Sequence, residues 1–221
     1  MSRRKYIIAD NHIYHVYNRS VGNEDILDYK KNLYRFLEII EYYRLPQRIR
    51  YSKYKTLPHV VKKDYDINLK KSSPLVDIYA YALMPNHYHL LLKQLQDNGI
   101  NKLVSNCQNS FAKYYNKKNE RHGALFQNSF KARTIETDED FMHVSRYIHL
   151  NPITSLLLKQ DELKNSPLTS LPCYLDNRLN NFINTSNLID MFVSREKYYR
   201  FVIDQADYQK KVGMIKRYLF D

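Results

Sequence analysis

The sequence predicts an α+β fold: a ferredoxin-like split βαβ antiparallel sheet with helices on one face, followed by a C-terminal helical extension. The patterns along residues 1–152 follow the order strand, helix, strand, strand, helix, strand, which is the order of that fold. A tight turn joins the second and third strands as a hairpin. Beyond residue 152 the apolar residues recur mainly at helical spacing. We therefore divide the chain into a domain of residues 1–152, with a basic insertion at 47–74, and an extension of residues 153–221.

The first third of the chain predicts one strand and one helix. Residues 12–20, HIYHVYNRS, alternate apolar and polar side chains and contain β-branched and aromatic residues, as a half-buried strand does. Residues 29–43 carry apolar side chains at spacings of three and four, which predicts an amphipathic helix that Pro46 ends. Residues 47–74 lack such a period and are rich in lysine and arginine. We expect them to form an irregular, basic surface arm.

The middle of the chain predicts a hairpin and a second helix. Residues 75–84 and 87–94 read as strands, and Pro85 with Asn86 supplies the turn between them. A helix is predicted over residues 100–117, because loop residues precede an apolar pattern of helical period.

The end of the predicted domain is a strand followed by a helix. The segment ALFQNSFKARTIE, after Gly123, predicts the last strand of the sheet. Thr137 is the expected cap of a helix whose first turn is acidic. Pro152 is expected to end that helix at Asn151, because the residue before a proline disfavours the helical conformation. We expect the extension beyond it to pack against the domain.

Composition limits the possible partners and locations. The 221 residues contain 35 Lys and Arg against 23 Asp and Glu, giving a net charge of +12, which favours nucleic acid or an acidic membrane surface as partner. No run of 18 apolar residues could span a membrane, and the basic N-terminus has too short an apolar stretch for a signal peptide. A cytoplasmic location is therefore predicted. Cys107 and Cys173 lack a CxxC partner and are expected to be reduced.

Two histidines stand out in the hairpin segment MPNHYHLLL. His87 and His89 are two residues apart on a predicted strand, so both side chains project from the same face. That geometry offers two imidazoles to one divalent metal, which would need further ligands from elsewhere in the fold. The alternative is that both histidines are surface or capping residues near a turn, since the pattern is short.

A tyrosine and an asparagine form a second candidate pair, in YIHLNP. Tyr147 and Asn151 are four residues apart and lie on one helix face, where the amide oxygen of Asn151 is a ligand that a hard metal accepts. Tyr147 could equally be a packing residue in a chain with 21 tyrosines. The combination of this pair with the two histidines is more informative than either alone.

These motifs resemble the insertion-sequence-200-like, single-tyrosine HUH transposases, and in particular the branch called REP-associated tyrosine transposases. The resemblance rests on MPNHYHLLL and YIHLNP, supported by YHVYNRS and GALFQNSFKARTIE, and covers residues 13–152. The family name describes histidine, bulky hydrophobic residue, histidine. Tyr88 at the middle position departs mildly from that pattern because of its hydroxyl group.

The resemblance implies an enzyme that cleaves and rejoins single-stranded DNA in transposition or in processing of REP-like elements. His87, His89 and Asn151 would bind Mg²⁺ or Mn²⁺, and Tyr147 would attack the scissile phosphate to give a 5′-phosphotyrosine and a free 3′-hydroxyl. Because neutral imidazole is the ligand form, we expect activity to fail as the pH falls through about 6.5. His149 is expected to be structural.

The resemblance also implies a DNA partner, single-stranded and hairpin-containing. Seven cations are candidates for DNA contacts: Arg19, Lys131, Arg133 and Arg146 near the predicted site, and Arg48, Arg50 and Lys53 in the insertion. Tyr51 and Tyr54 could stack on unpaired bases or could pack the insertion against the domain. Relatives act as dimers or as monomers, so the oligomeric state stays open.

Two alternatives remain beside the strand transferase. A non-enzymatic nucleic-acid-binding protein on the same fold would need only the positive charge. A metal-dependent phosphodiesterase would use water in place of Tyr147. The presence of all four site residues favours the transferase over the binding protein, and the effect of Tyr147→Phe would distinguish it from the phosphodiesterase.

Overall fold

A computed structural model of the chain describes residues 8–28, 30–175 and 182–204 and contains one four-stranded antiparallel sheet. The strands are β1 (Ile13–Arg19), β2 (Val76–Met84), β3 (His87–Gln94) and β4 (Lys131–Ile135). The helices are α1 (Lys30–Tyr43), α2 (Tyr51–Lys55), α3 (His59–Lys70), α4 (Gly99–Lys118), α5 (Asp138–Thr154), α6 (Leu171–Leu175), α7 (Ser186–Phe192) and α8 (Arg195–Ile203).

The order of the strands confirms the predicted ferredoxin-like sheet. They lie in the order β2-β3-β1-β4, and every neighbouring pair is antiparallel. The central strand β1 places Tyr17 opposite His89 on one side and opposite Lys131 on the other. The strands on either side of β1 therefore bring residues distant in sequence onto a common face.

Helices cover both faces of the sheet, which corrects the prediction of helices on one face. On one face, the ring of Tyr88 lies 5.4 Å from that of Phe36 in α1, and its hydroxyl accepts a hydrogen bond from Gln108 of α4 at 2.7 Å. On the other face, Phe141 of α5 packs edge-on against Tyr79 of β2 with ring centroids 4.8 Å apart. The helices α1 and α4 fit the prediction, whereas α5 adds a layer on the opposite face, because its apolar residues pack on β2.

The basic insertion is helical rather than irregular. It contains α2 and α3, and its tyrosines pack on α1, with the rings of Tyr51 and Tyr54 lying 5.1 and 4.8 Å from that of Tyr42. The hydroxyl of Tyr51 donates to Glu38 at 2.6 Å, and that of Tyr54 donates to Asp66 at 2.8 Å. Both tyrosines thus pack the insertion against the domain, which was one of the two predicted roles.

The last strand and helix differ from their predicted bounds. Only Lys131–Ile135 of the predicted last strand is strand, although Phe126 forms a bridge with Ser20. Thr137 caps α5 as predicted, accepting a hydrogen bond from the backbone N–H of Asp140 at 3.0 Å. Pro152 does not end this helix, which continues to Thr154. A proline two residues before the helix end removes one backbone hydrogen bond, and the surrounding bonds persist.

The described part of the extension covers the outer edge of β2. Leu83 N–H donates to the carbonyl of Leu168 at 2.8 Å, and Asn184 N–H donates to that of Ile78 at the same distance. Ser170 N–H bonds the carbonyl of Tyr81 at 3.1 Å. The extension thereby pairs with backbone groups that an edge strand would otherwise leave exposed.

Composition led to expectations about membrane-spanning helices and about the two cysteines. None of the described helices is long and apolar enough to cross a membrane. Cys107 and Cys173 are both buried and are not joined in a disulfide, as expected for reduced thiols. Burial raises the pKa of the Cys107 thiol well above its usual value, which keeps that thiol in its unreactive protonated form.

Candidate active site

A cleft of about 710 Å³ lies between the sheet and α5, on the face opposite α1 and α4. The strands β1 and β3 supply its floor, because alternate residues of a strand face the same side and the two strands pair in register. His87 and His89 project into it from β3, and Tyr147 and Asn151 reach it from α5. The structure therefore brings together the four residues that the sequence singled out.

The two histidines of β3 both use Nδ1 for their contacts within the protein. Nδ1 of His87 lies 2.6 Å from the side-chain oxygen of Asn86, and Nδ1 of His89 lies 2.9 Å from Nε2 of His15. No hydrogen bond among the described residues involves Nε2 of His87 or His89. When each Nδ1–H donates to its neighbour, each Nε2 keeps a lone pair for a ligand.

Tyr147 and Asn151 lie next to these rings. The ring of Tyr147 is 5.7 Å from that of His89 and 5.9 Å from that of His15, edge-on in both cases. The amide N–H of Asn151 donates to the backbone carbonyl of Tyr147 at 3.0 Å, which leaves its side-chain oxygen as an acceptor or ligand. Tyr147 is 38% exposed, so a substrate could reach its hydroxyl group.

Burial keeps the histidines neutral. It lowers the pKa of His87 to about 4, with a further contribution from Arg19, and lowers that of His15 to about 4 together with Arg133. The pKa of His89 falls well below its usual value, mainly because of burial, with further electrostatic contributions from His15, His87 and Arg19 that disfavour its protonated form. The expected loss of the neutral form near pH 6.5 therefore moves to lower pH.

The pKa of the Tyr147 hydroxyl is raised. Burial is the main cause, and the amide of Asn151 acts in the opposite direction. The free hydroxyl thus keeps its proton at neutral pH, and deprotonation must accompany its reaction.

The cleft is positively charged. Arg19, Lys131 and Arg133 line it, and no carboxylate does among the described residues. The Nζ atom of Lys131 lies 5.8 Å from the centre of the Tyr17 ring. Such a cleft favours an anionic ligand, because guanidinium and ammonium groups converge without acidic side chains to neutralise them.

The donor set fits a divalent metal ion bound together with an anion. No group of three or more His, Cys, Asp and Glu side chains among the described residues is placed to hold a metal. The candidate set is instead two imidazole Nε2 atoms and one amide oxygen, all neutral. Such ligands leave the charge of a Mg²⁺ or Mn²⁺ ion uncompensated, so a phosphate oxygen is a natural additional ligand.

The other predicted site residues lie outside this cleft. Arg146 stacks on Phe201 of α8, 4.2 Å from its ring centre, and donates to the Phe201 carbonyl at 3.3 Å. Arg48, Arg50 and Lys53 are exposed on the insertion, and none of them lines the cleft. Of these four, only Arg146 was predicted near the site, and its contact with Phe201 directs it away from the cleft.

His149 occupies the buried side of α5. It is fully buried, with Nδ1 2.9 Å from the hydroxyl of Thr169, and burial lowers its pKa to about 3. The rings of Tyr174 and Tyr198 enclose it, at 5.3 and 6.1 Å. Its position agrees with the predicted structural role.

Sequence reasoning missed His15 and Tyr17 of β1. They occupy alternate positions with Arg19, so all three face the same side of the sheet, and the two rings lie 5.1 and 5.6 Å from that of His89. The alternation of the first strand was visible in the sequence. Its register against β3, which puts Tyr17 opposite His89, was not.

Comparison with known proteins agrees with this geometry. Residues 49–151, somewhat less than half of the chain, match the family of IS200-like transposases. A solved structure with the same fold is that of a REP-associated tyrosine transposase bound to a REP hairpin, with 15% sequence identity and a TM-score of 0.55 over 84% of this chain and 89% of that one. No curated protein sequence matches the chain. Residues 49–151 are therefore similar to the IS200-like transposases, and the described part of the chain shares its fold with a REP-associated tyrosine transposase.

Proposed function

We propose that this protein is a single-tyrosine HUH transposase that cleaves and rejoins single-stranded DNA through a 5′-phosphotyrosine intermediate. The observation that carries the proposal is the position of Tyr147, which lies beside His89 and one helical turn from Asn151 in a cationic cleft. The family match and the shared fold support a role in DNA processing. We place this activity in the cytoplasm.

His87, His89 and Asn151 are the residues that would hold Mg²⁺ or Mn²⁺. The ion, when bound, would act as a Lewis acid on the scissile phosphate. Asn86 and His15 would act through the histidines, because in the tautomer that leaves Nε2 free each of them accepts the Nδ1–H of its neighbour. The protein thus holds its ligand atoms in position before the ion arrives.

Tyr147 is the proposed nucleophile. Its hydroxyl oxygen bonds to phosphorus and the bond from phosphorus to the 3′-oxygen breaks, so the 5′-phosphate stays on the protein and a 3′-hydroxyl is released. Burial raises the pKa of the Tyr147 hydroxyl, so the hydroxyl is still protonated when the substrate binds. It loses this proton as its oxygen attacks the phosphorus. Attack by another 3′-hydroxyl reverses the step and rejoins strands without an external energy source.

Arg19, Lys131 and Arg133 are the proposed phosphate contacts of the substrate strand. They come from β1 and β4, on the same face as the histidines. Their charges would hold the DNA backbone across the cleft while the scissile phosphate lies next to Tyr147. The hairpin-bound state of the structural neighbour supports a hairpin-containing partner for this chain as well.

The proposal is tested by covalent adduct formation. Labelled single-stranded DNA from the flanks of the gene is incubated with Mn²⁺ or EDTA and analysed on a denaturing gel. We expect an Mn²⁺-dependent adduct with wild type and Tyr17→Phe, and none with Tyr147→Phe. Tyr17 is the matched control because its ring lies in the same cleft.

The other outcomes identify the alternative functions. If Tyr147→Phe cuts the DNA as fast as wild type and no adduct forms, the nucleophile is water and the protein is a phosphodiesterase. If all three proteins bind the DNA tightly and none cuts a set of oligonucleotides that covers both flanks with their hairpins, the protein is a binding module.

A further inference from the structure

A second, larger groove lies on the far side of the molecule from the active-site cleft. It runs between α1 and α4, with α2 of the insertion forming one wall, and has a volume of about 1080 Å³. Buried Ile39 of α1 is at its base. Because α1 and α4 cover the face of the sheet that carries Tyr88, this groove and the cleft are separated by the sheet and a helix layer.

The groove is strongly cationic. Six positive side chains line it: Arg35, Arg50, Lys55, Lys113, Lys117 and Lys118. No Asp or Glu lines it among the described residues, and the adjacent Glu38 pairs with Arg35 at 3.4 Å and with Lys55 at 3.7 Å. None of the ion pairs among the described residues involves Arg50, Lys113 or Lys117. This accumulation of like charge fits a polyanionic ligand.

The cations and polar groups of α4 form a line along the groove. Asn106, Asn109, Lys113 and Lys117 are exposed and follow one another at spacings of three and four, so they lie on one face of the helix. At about 1.5 Å per residue this line is roughly 16 Å long. It matches several successive phosphates of a nucleic acid strand, which lie about 3.4 Å apart along the axis of a duplex.

Three tyrosines line the groove, of which Tyr43 is buried and the other two carry cations over their rings. Tyr51 has the guanidinium of Arg35 at 5.4 Å and the ammonium of Lys55 at 5.9 Å, and Tyr114 has Arg35 at 4.9 Å. Unpaired bases bind by stacking on open aromatic faces, which these two rings do not offer. The groove is therefore equipped to contact a phosphate backbone rather than bases.

We propose that this groove binds the sugar–phosphate backbone of duplex nucleic acid without reading its sequence. The inference rests on the proposed DNA-processing function and adds a second contact site to it. The cleft takes the single strand that is cut, and the groove takes a paired region. Arg50, which does not lie at the active site, contributes here.

The test compares two triple variants that each lose three positive charges. One removes groove cations (Arg50→Gln, Lys113→Gln, Lys117→Gln), and its matched control removes exposed lysines elsewhere (Lys63→Gln, Lys71→Gln, Lys159→Gln). Binding of a fluorescein-labelled DNA duplex of arbitrary sequence is measured by anisotropy in EDTA over a range of salt concentrations. The presence of EDTA separates this measurement from metal-dependent cleavage.

We expect the groove variant to bind the duplex at least about tenfold more weakly than the control variant, with a salt slope lower by roughly 2 to 3 because up to three phosphate contacts are lost. Equal binding by the two variants would overturn the proposal. A loss that is as large for an unpaired oligonucleotide as for the duplex would overturn the preference for paired nucleic acid.

A second measurement separates this inference from the proposed function. Adduct formation on a short unpaired oligonucleotide is compared between wild type and the groove variant, and we expect the same rate. If wild type forms no adduct while the groove variant still loses duplex binding, the proposed strand transfer is wrong and the duplex-binding role of the groove is supported. If wild type forms the adduct and both variants bind the duplex alike, the proposed duplex-binding role of the groove is wrong and the proposed active site is supported.

Discussion

The two faces of β3 show how one strand separates stability from chemistry. His87 and His89 face the cleft, while Tyr88 between them is 1% exposed and packs against Phe36. The hydroxyl of Tyr88, which is the departure from a bulky hydrophobic residue at this position, accepts a hydrogen bond from Gln108. The middle residue of the motif is therefore part of the core, and the two proposed metal ligands flank a core residue that holds the strand in place.

His89→Ala should have the largest effect on the face of β3 that lines the cleft. Because substitution of a residue that only supports a metal ligand typically costs 10–100-fold in affinity, loss of a ligand should weaken Mn²⁺ binding by more than about 100-fold. Titration of Mn²⁺ against the folded protein measures this affinity, with Tyr88→Phe as the control that should bind normally. Wild-type Mn²⁺ affinity in His89→Ala would exclude His89 as a ligand.

Tyr88→Ala should reduce the stability of the fold and leave Mn²⁺ affinity unchanged. Removing a fully buried ring leaves a cavity and should lower the free energy of unfolding by about 3–5 kcal/mol. Urea denaturation gives this value, and Tyr88→Phe should lose only about 1 kcal/mol because it keeps the buried ring and removes the hydroxyl that bonds Gln108. A strong loss of Mn²⁺ affinity in the folded fraction of Tyr88→Ala would contradict the separation of the two faces.

The pH dependence of stability should reflect the buried histidines. The pKa values of His15 and His87 fall to about 4 and that of His149 to about 3, so the unfolded chain takes up protons at these sites first as the pH is lowered. The free energy of unfolding should therefore be highest above pH 6.5 and fall between about 6.5 and 4, by on the order of 3 kcal/mol for each group.

Urea denaturation across this pH range measures the effect, and Mn²⁺ binding measured alongside should persist below pH 6.5 while the protein stays folded. His149→Gln, which removes one of the titrating groups away from the cleft, should give a flatter curve. A stability that rises as the pH falls from 6.5 would show that the histidines are not buried in their neutral form.

Ser145→Ala should have the smallest effect and extends the comparison to the two sides of α5. The hydroxyl of Tyr198 in α8 donates to Ser145 at 3.1 Å, on the side of the helix away from the cleft. Its loss should lower the free energy of unfolding by about 1 kcal/mol and leave the rate of adduct formation unchanged. Thermal unfolding and the gel assay measure the two quantities, and a clear change in rate would show that this side of α5 affects catalysis.

The elements with a strong period were predictable from the sequence. The strand at 87–94 was predicted with its exact bounds, and the helix at 30–43 within one residue, because apolar spacing dominates in both. The helices of the insertion were not predictable, because α2 is only five residues long and contacts among tyrosines stabilise this helix. The last strand was overextended because residues 124–130 show the composition of a strand without forming a continuous ladder.

The candidate site was predictable where it depended on local spacing. His87 with His89, and Tyr147 with Asn151, share a face through the periods of strand and helix alone. Arg146 was predicted to lie near the site. Successive residues of a helix are turned by about 100°, however, so Arg146 points away from the cleft that Tyr147 faces. His15 required the pairing of β1 with β3, a contact between residues 74 apart in sequence, which no local pattern encodes.

The pairing of the extension with β2 has a consequence for how the protein avoids aggregation. A bare β2 edge would present the N–H of Leu83 and the carbonyls of Ile78 and Tyr81 as a template for strand addition by another chain. A truncated chain ending at Pro152 would expose this template and the apolar side chains beneath it. The described part of the extension therefore protects the edge of the sheet, and we expect the shortened protein to self-associate.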